Sequence, residues 1–122
     1  MSQSVVRAEG ITFRYGERVA CQGIDFAVDR GEVFGLVGPN GSGKSTLFKI
    51  LSTAYPVQEG SVSILDHDMR KASGVAAVRR ELGVVFQSPA LDGKLSVREN
   101  LVYGGYMYGL SGATLQSRVD EV

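Results

Sequence analysis

Several features that would announce a function class are scarce in this sequence. It has one cysteine, Cys21, in 122 residues. A lone thiol excludes an internal disulfide framework and any multi-cysteine zinc site, and it fits a reducing compartment. In its strand-like surroundings it reads as a small buried side chain. Net charge is also missing: 13 Lys and Arg balance 13 Asp and Glu. No summed field draws the chain to a polyanion, and no dense basic run marks a nucleic-acid or lipid-headgroup patch. Nucleic acid is therefore not expected as a direct partner. The start, MSQSVVRAEG, has no basic segment followed by an apolar run, so it does not read as a secretory signal. Nor does the chain contain the roughly 18 uninterrupted apolar residues of a membrane-spanning helix. Any membrane role is expected to come through a partner.

What is present is ordinary globular material, 43% hydrophobic and 21% charged, at a length that suits one domain or part of one. From Val6 to Tyr15 apolar residues alternate, with a phase slip at Glu9-Gly10 that predicts a bulged strand. RVACQGIDFAV repeats the pattern with a slip at Gln22-Gly23, and DRGE at 29–32 reads as a tight turn. These stretches predict an N-terminal antiparallel sheet. At Val33 the character changes: VFGLVG is the nearly continuous apolar run of a strand covered on both faces. A glycine-rich loop and a helix starting near Gly43 or Lys44 follow, with Leu47, Ile50 and Leu51 on one face.

Farther on, Val62 and Ile64 alternate in a short strand, Val75, Val78 and Leu82 suggest a helical face, and LGVVF at 82–86 again has a buried-strand pattern leading to Gln87. Ser96 and Glu99 form a capping-box signature for a helix to about Tyr108, weakened by Gly104-Gly105. A last helix is expected from near Ser111, with Leu115, Val119 and Val122 on one face. Asp66-His67-Asp68 reads as a solvated turn rather than a metal cluster, because adjacent side chains diverge along a strand.

Gly38-Pro39-Asn40-Gly41-Ser42-Gly43-Lys44-Ser45 satisfies G-x-x-x-x-G-K-[ST] between an expected strand and an expected helix, the context that marks a phosphate-binding loop. Glycines let the amides of roughly Gly41 to Ser45 turn inward where a Cβ would obstruct the approach. The helix N-terminus adds unsatisfied N–H groups and a dipole favourable to negative charge. Lys44 supplies a mobile cation for outer phosphates, Ser45 a hydroxyl for Mg²⁺, and Thr46 a contact to the α-phosphate.

With these residues in place, ITFRYGERVACQGIDFAVDRGEVFGLVGPNGSGKSTLFKILS and GVVFQSPALDGKLSVRENLVYGGYMYGLSG resemble the first half of an ATP-binding cassette (ABC) transporter ATPase domain, over essentially the whole chain from Val5. The segment around Gln87 is most similar to bacterial drug-exporter ATPase subunits. The resemblance implies an α/β P-loop NTPase fold with three parts: an antiparallel β region at about 1–31, the Walker A strand-loop-helix core at 32–87, and the start of a helical subdomain at 88–122. It implies ATP and Mg²⁺ as cofactors. Tyr15 would be the A-loop aromatic that stacks on adenine, where a tyrosine at a strand end would otherwise read as surface or packing. Gln87 would be the Q-loop residue reaching Mg²⁺ and the γ-phosphate region.

The resemblance further implies a permease partner meeting about Ser88–Asn100, although an ordinary exposed loop and helix cap remains open there. It implies a second ATP-binding subunit, and a cytoplasmic position on the inner membrane face. Tyr103, Tyr106 and Tyr108 read mainly as packing, with a partner-facing role as the second reading. LSG at 110–112 does not match the LSGGQ-type signature, since Ala113-Thr114 follow it. That signature, the Walker B strand, the catalytic Glu and the switch His do not occur in these residues, so the expectation is a chain that holds ATP without a complete hydrolytic site. Val33–Gly38 is expected to lack sheet neighbours and to leave apolar surface open. A non-hydrolysing nucleotide-binding or regulatory module, or a cassette protein acting away from membranes, stays open as an alternative.

Overall fold

The computed structural model describes residues 3–122. They divide into two compact units, one ending at Val78 and the other running Arg79–Val122. The first is built on a four-stranded antiparallel sheet. β1 (Ser4–Tyr15) and β2 (Arg18–Asp29) form a long hairpin, β3 (Glu59–Ile64) pairs with the other edge of β1, and β4 (His67–Asp68) closes the order β2-β1-β3-β4.

Both expected phase slips are bulges. The register steps from Ala8 opposite Phe26 to Ile11 opposite Ile24, placing the extra residue of β1 at Glu9-Gly10. It then steps to Phe13 opposite Cys21, placing the extra residue of β2 at Gln22-Gly23. A bulge frees backbone donors from the ladder, and side chains take them up: Gly10 N–H donates to Asp25 Oδ1 at 2.6 Å and Gly23 N–H to Thr12 Oγ1 at 3.0 Å. DRGE turns as expected, with Glu32 N–H on the Asp29 carbonyl at 3.0 Å.

α1 (Lys44–Leu51) buries Thr46, Leu47 and Ile50. With Ala8, Ile11, Phe13, Cys21, Val62, Ile64, Met69 and Val78 these side chains make the core of the first unit. α2 (Ala72–Glu81) contributes Gly74 and Val78 as its buried residues. The Leu65-Asp66 turn, both residues at positive φ, joins β3 to β4, so Asp66, His67 and Asp68 belong to a hairpin.

Two expected strands do not form. Residues 33–39 and 82–86 form no strand ladder among the described residues, and Val33, Val37 and Val85 are 98%, 99% and 100% exposed, which agrees with the open apolar surface expected at Val33–Gly38. A doubly covered strand takes its hydrogen bonds and its burial from neighbours on both sides, so its apolar pattern folds only when those neighbours are present.

In the second unit the Ser96/Glu99 capping box opens α3 (Val97–Met107). α4 (Gly112–Glu121) buries Leu115 and Val119, while Val122 at its end is exposed. Arg98 joins the two helices, donating to Gln116 Oε1 at 3.3 Å and Asp120 Oδ1 at 2.7 Å. Gly105 is a packing position, since a Cβ there would collide with Leu115 Cδ1. The tyrosines expected mainly as packing are instead about half exposed: Tyr103 and Tyr106 meet edge to face at 6.4 Å, and the Tyr108 hydroxyl donates to the Leu82 carbonyl at 2.6 Å. α3 has no buried residue, and these rings are only partly covered.

Candidate functional site

The glycine-rich loop meets α1 at Gly43, which caps the helix at φ 93° with no side-chain bond. A Cβ there would run into the Ala20 carbonyl oxygen and stand 3.0 Å from Cys21 Sγ. β2 thus buttresses the loop from behind, and the buried Cys21 thiol, its pKa raised by that burial, donates to the Gly43 carbonyl at 3.5 Å. The first helical bond runs from Leu47 N–H to Gly43 O at 2.9 Å. The amides of Lys44, Ser45 and Thr46 therefore have no partner within the helix, the condition that makes a helix start attractive to anions.

In front of this helix start lies a cleft of about 510 Å³. Of the residues singled out from sequence it is lined by Tyr15, Pro39, Asn40, Gly41, Gly43, Lys44, Ser45 and Thr46. Gly38 and Ser42 stand outside the lining. Gly38 supplies a carbonyl to the Lys44 ammonium, which also donates to Pro39 O at 3.1 Å. Ser42 spends its amide inside the loop, on the Pro39 carbonyl at 3.2 Å. The inward-turned amides are thus fewer than the motif suggests, because Ser42 N–H closes the loop's own turn. Gln87 is in the second unit, exposed at a bend after residues 82–86.

Four further residues complete the lining: Arg18, Ala20, Lys49 and Tyr55. Arg18 arrives through the two-residue connection of the hairpin, which sets it opposite Tyr15. Lys49 follows Ser45 by four residues and Thr46 by three, so one face of α1 carries all three. That spacing was readable in the sequence, whereas nothing near Tyr55 pointed to the loop. Arg18, Lys44 and Lys49 give the cleft three cations, and no Asp or Glu lines it. A neutral chain has thereby gathered a donor-rich hollow suited to a polyanion.

The other end is aromatic. Tyr15 meets Phe13 edge to face at 5.2 Å and Tyr55 at 6.0 Å, while Tyr55 stacks on Phe13 at 5.3 Å. The Tyr15 hydroxyl lies 3.0 Å from Thr46 Oγ1. That bond lowers the Tyr15 pKa, and Tyr55 and the Lys49 charge act the same way.

A loop of this composition and an anion-ready helix start occur together with a family match: the model of the ABC transporter family fits residues 21–122. The chain belongs to the ABC transporter family. Among its ABC relatives is the probable multidrug ABC transporter ATP-binding protein YbhF of Escherichia coli K12, 37% identical over 98% of this chain and 20% of its own length. Another is the doxorubicin resistance ATP-binding protein DrrA of Mycobacterium tuberculosis H37Rv, 42% identical over 97% of this chain and 35% of its own. The ABC chain thus spans about a third or less of these relatives. Among solved structures, the ATP-binding cassette MJ0796, a dimer in a post-hydrolysis state bound to ADP and Pi, superposes with a TM-score of 0.78 at 27% identity, over 95% of this chain and 54% of that one. A partial P-loop fold of an ABC ATPase is thereby shown. No helix among the described residues is long and apolar enough to cross a membrane.

Proposed function

We propose that the cleft holds ATP, as part of the ATP-binding subunit of an exporter of the ABC family. One observation carries the reading: the uncapped start of α1 opens into a cleft that has three cations, no carboxylate and a tyrosine, Tyr15, in its lining. The phosphates fit beside the amides of α1, the Lys44 ammonium and the side chains of Ser45 and Thr46, with adenine against Tyr15. Gly38 and Ser42 serve by shaping the loop. The residues suit Mg²⁺ as a companion of the nucleotide, since Ser45 offers a hydroxyl and the described residues contain no cluster of three His, Cys, Asp or Glu that could hold a metal alone. The Ser45 hydroxyl would hold the ion there, and the ion's positive charge would offset the negative charge of the phosphates.

Gln87 as a metal and γ-phosphate contact, Ser88–Asn100 as a permease-facing surface, pairing with a second ATP-binding subunit and a place at the inner membrane face are part of the same proposal. So is ATP hydrolysis coupled to export by the protein as a whole. The drug-transport and drug-resistance names of the relatives and the dimeric, ADP-bound state of MJ0796 support it.

The test is calorimetric titration of the chain with ATP in the presence and absence of Mg²⁺. Saturable binding that Mg²⁺ strengthens and Lys44→Ala severely weakens is the expected result. A chain that binds no ATP, or a Lys44→Ala variant that binds it equally well, would overturn the proposal.

A further inference from the structure

The aromatic end of the cleft contains more than Tyr15. The loop that follows α1 brings Tyr55 to the lining, and several contacts hold its ring in place. One face stacks on Phe13 at 5.3 Å with the planes 10° apart, and the Lys49 ammonium stands 5.1 Å from the ring centroid. The Tyr55 amide donates to the Lys49 carbonyl at 3.0 Å, which ties the loop to the end of the helix. Three residues on, Gln58 clamps the same loop to the sheet: its Nε2 donates to the Arg14 carbonyl at 3.0 Å and its Oε1 accepts from the Arg14 amide at 2.8 Å. A side-chain amide here continues the β1–β3 ladder beyond its last backbone pair, Thr12 opposite Glu59. The residue it fixes is the neighbour of Tyr15.

Tyr15 has a different environment. Both of its aromatic neighbours meet it at steep angles, Phe13 at 68° and Tyr55 at 74°, so neither stacks flat upon it, and it remains 40% exposed. A planar group can stack on Tyr15. Tyr55, already engaged by Phe13, is placed to bound that group from the side, and Lys49 brings a cationic donor to the same end.

We infer that Tyr55 and Lys49 form a second wall of the base subsite, with Gln58 as the residue that positions it, so that the nucleoside part of the ligand is gripped at two walls. The inference rests on the reading of the cleft as a nucleotide site, and the two fail differently. It concerns the base end alone: the Tyr55 ring adds affinity for a nucleoside triphosphate and none for a bare triphosphate chain.

The experiment compares ATP with inorganic tripolyphosphate as titrants of the full chain, each with Mg²⁺. Tyr55→Ala is expected to weaken ATP binding about threefold to tenfold, the range of one aromatic contact, with tripolyphosphate binding unchanged. Tyr55→Phe, which keeps the stack on Phe13, is expected to retain most of the ATP affinity and guards against a folding defect in the alanine variant. Gln58→Ala, which frees the loop, is expected to shift ATP binding in the direction of Tyr55→Ala, again sparing tripolyphosphate. Equal losses for ATP and tripolyphosphate in Tyr55→Ala, or no loss for either, would overturn the second wall while leaving the nucleotide site intact. Wild-type protein that binds tripolyphosphate as tightly as ATP would also overturn it, because the base would then contribute nothing. Wild-type protein that binds neither would remove both readings.

Discussion

The hydroxyl of Tyr15 and the hydroxyl of Thr46 lie 3.0 Å apart, joining the end of β1 to the first turn of α1 across 31 positions of sequence. Each residue was singled out for a separate contact, one to a base and one to a phosphate. The bond between them joins the aromatic part of the cleft to the start of α1 in one connected piece.

Removing the ring and removing the hydroxyl should therefore differ. Tyr15→Ala is expected to lower ATP affinity about tenfold through loss of the stacking surface, and Tyr15→Phe about twofold, since it loses the bond to Thr46 alone. Titration of both variants with ATP checks the order; equal losses would assign the effect to the hydroxyl.

Gly43 has a stronger constraint than space for phosphate. At φ 93° and against the Ala20 carbonyl, an alanine is strained by its backbone and obstructed by β2. Gly43→Ala is expected to cost about 1–3 kcal/mol from the backbone conformation, before the collision is counted. Chemical denaturation of the variant, run beside a nucleotide titration, measures both consequences.

Within α1 two apolar residues two positions apart have opposite roles. Ile50 is 1% exposed and Phe48 57%. Ile50→Ala is expected to destabilise the chain by about 2–5 kcal/mol, and Phe48→Ala by no more than about 0.5 kcal/mol. A denaturant midpoint series on the two variants reads the contrast directly.

Asp68 gives the pH dependence a defined direction. Hydrogen bonds from the Arg70 side chain, joined by its backbone amide, lower the Asp68 carboxyl from 3.8 to about 2. A depressed carboxylate pKa contributes stability above the unfolded value and loses it as pH falls through the folded one. The loss should therefore fall between about pH 4 and pH 2. Asp68→Asn is expected to flatten the stability profile across that window; because the pair is exposed, the change is small. Thermal melts at stepped pH test it.

The bare valines make a surface prediction. Val37 and Val85 are almost fully exposed on segments without ladder partners. As an isolated 122-residue chain the protein is expected to bind hydrophobic dyes and self-associate. Val37→Ser with Val85→Ser is expected to reduce dye binding without lowering the unfolding midpoint. Unaltered dye binding would place the sticky surface elsewhere.

Local patterns carried much of this architecture. The bulges at Gly10 and Gly23, the capping box at Ser96 and the helix start after Gly43 are each dictated by residues a few positions apart, and each stands where the sequence placed it. Patterns that depend on distant neighbours carried less, although the open apolar surface at Val33–Gly38 is as expected. VFGLVG and LGVVF have strand composition, yet a strand exists only with a partner to pair with. Tyr103, Tyr106 and Tyr108 look like packing residues, and about half of each stays exposed.

The same division of labour runs through the cleft. The sequence alone determined the glycine-rich loop and the helix start behind it, because close backbone approach needs glycine and an anion-ready helix start needs its lysine and hydroxyls at fixed short offsets. Lys49 follows from the helical spacing, but Arg18 and Tyr55 joined it in one hollow through tertiary structure. A hairpin turn, the helical repeat and a clamped loop brought them together. Only that folding turns a chain of zero net charge into a local cluster of donors, since charge that cancels over 122 residues need not cancel over the few that share a surface.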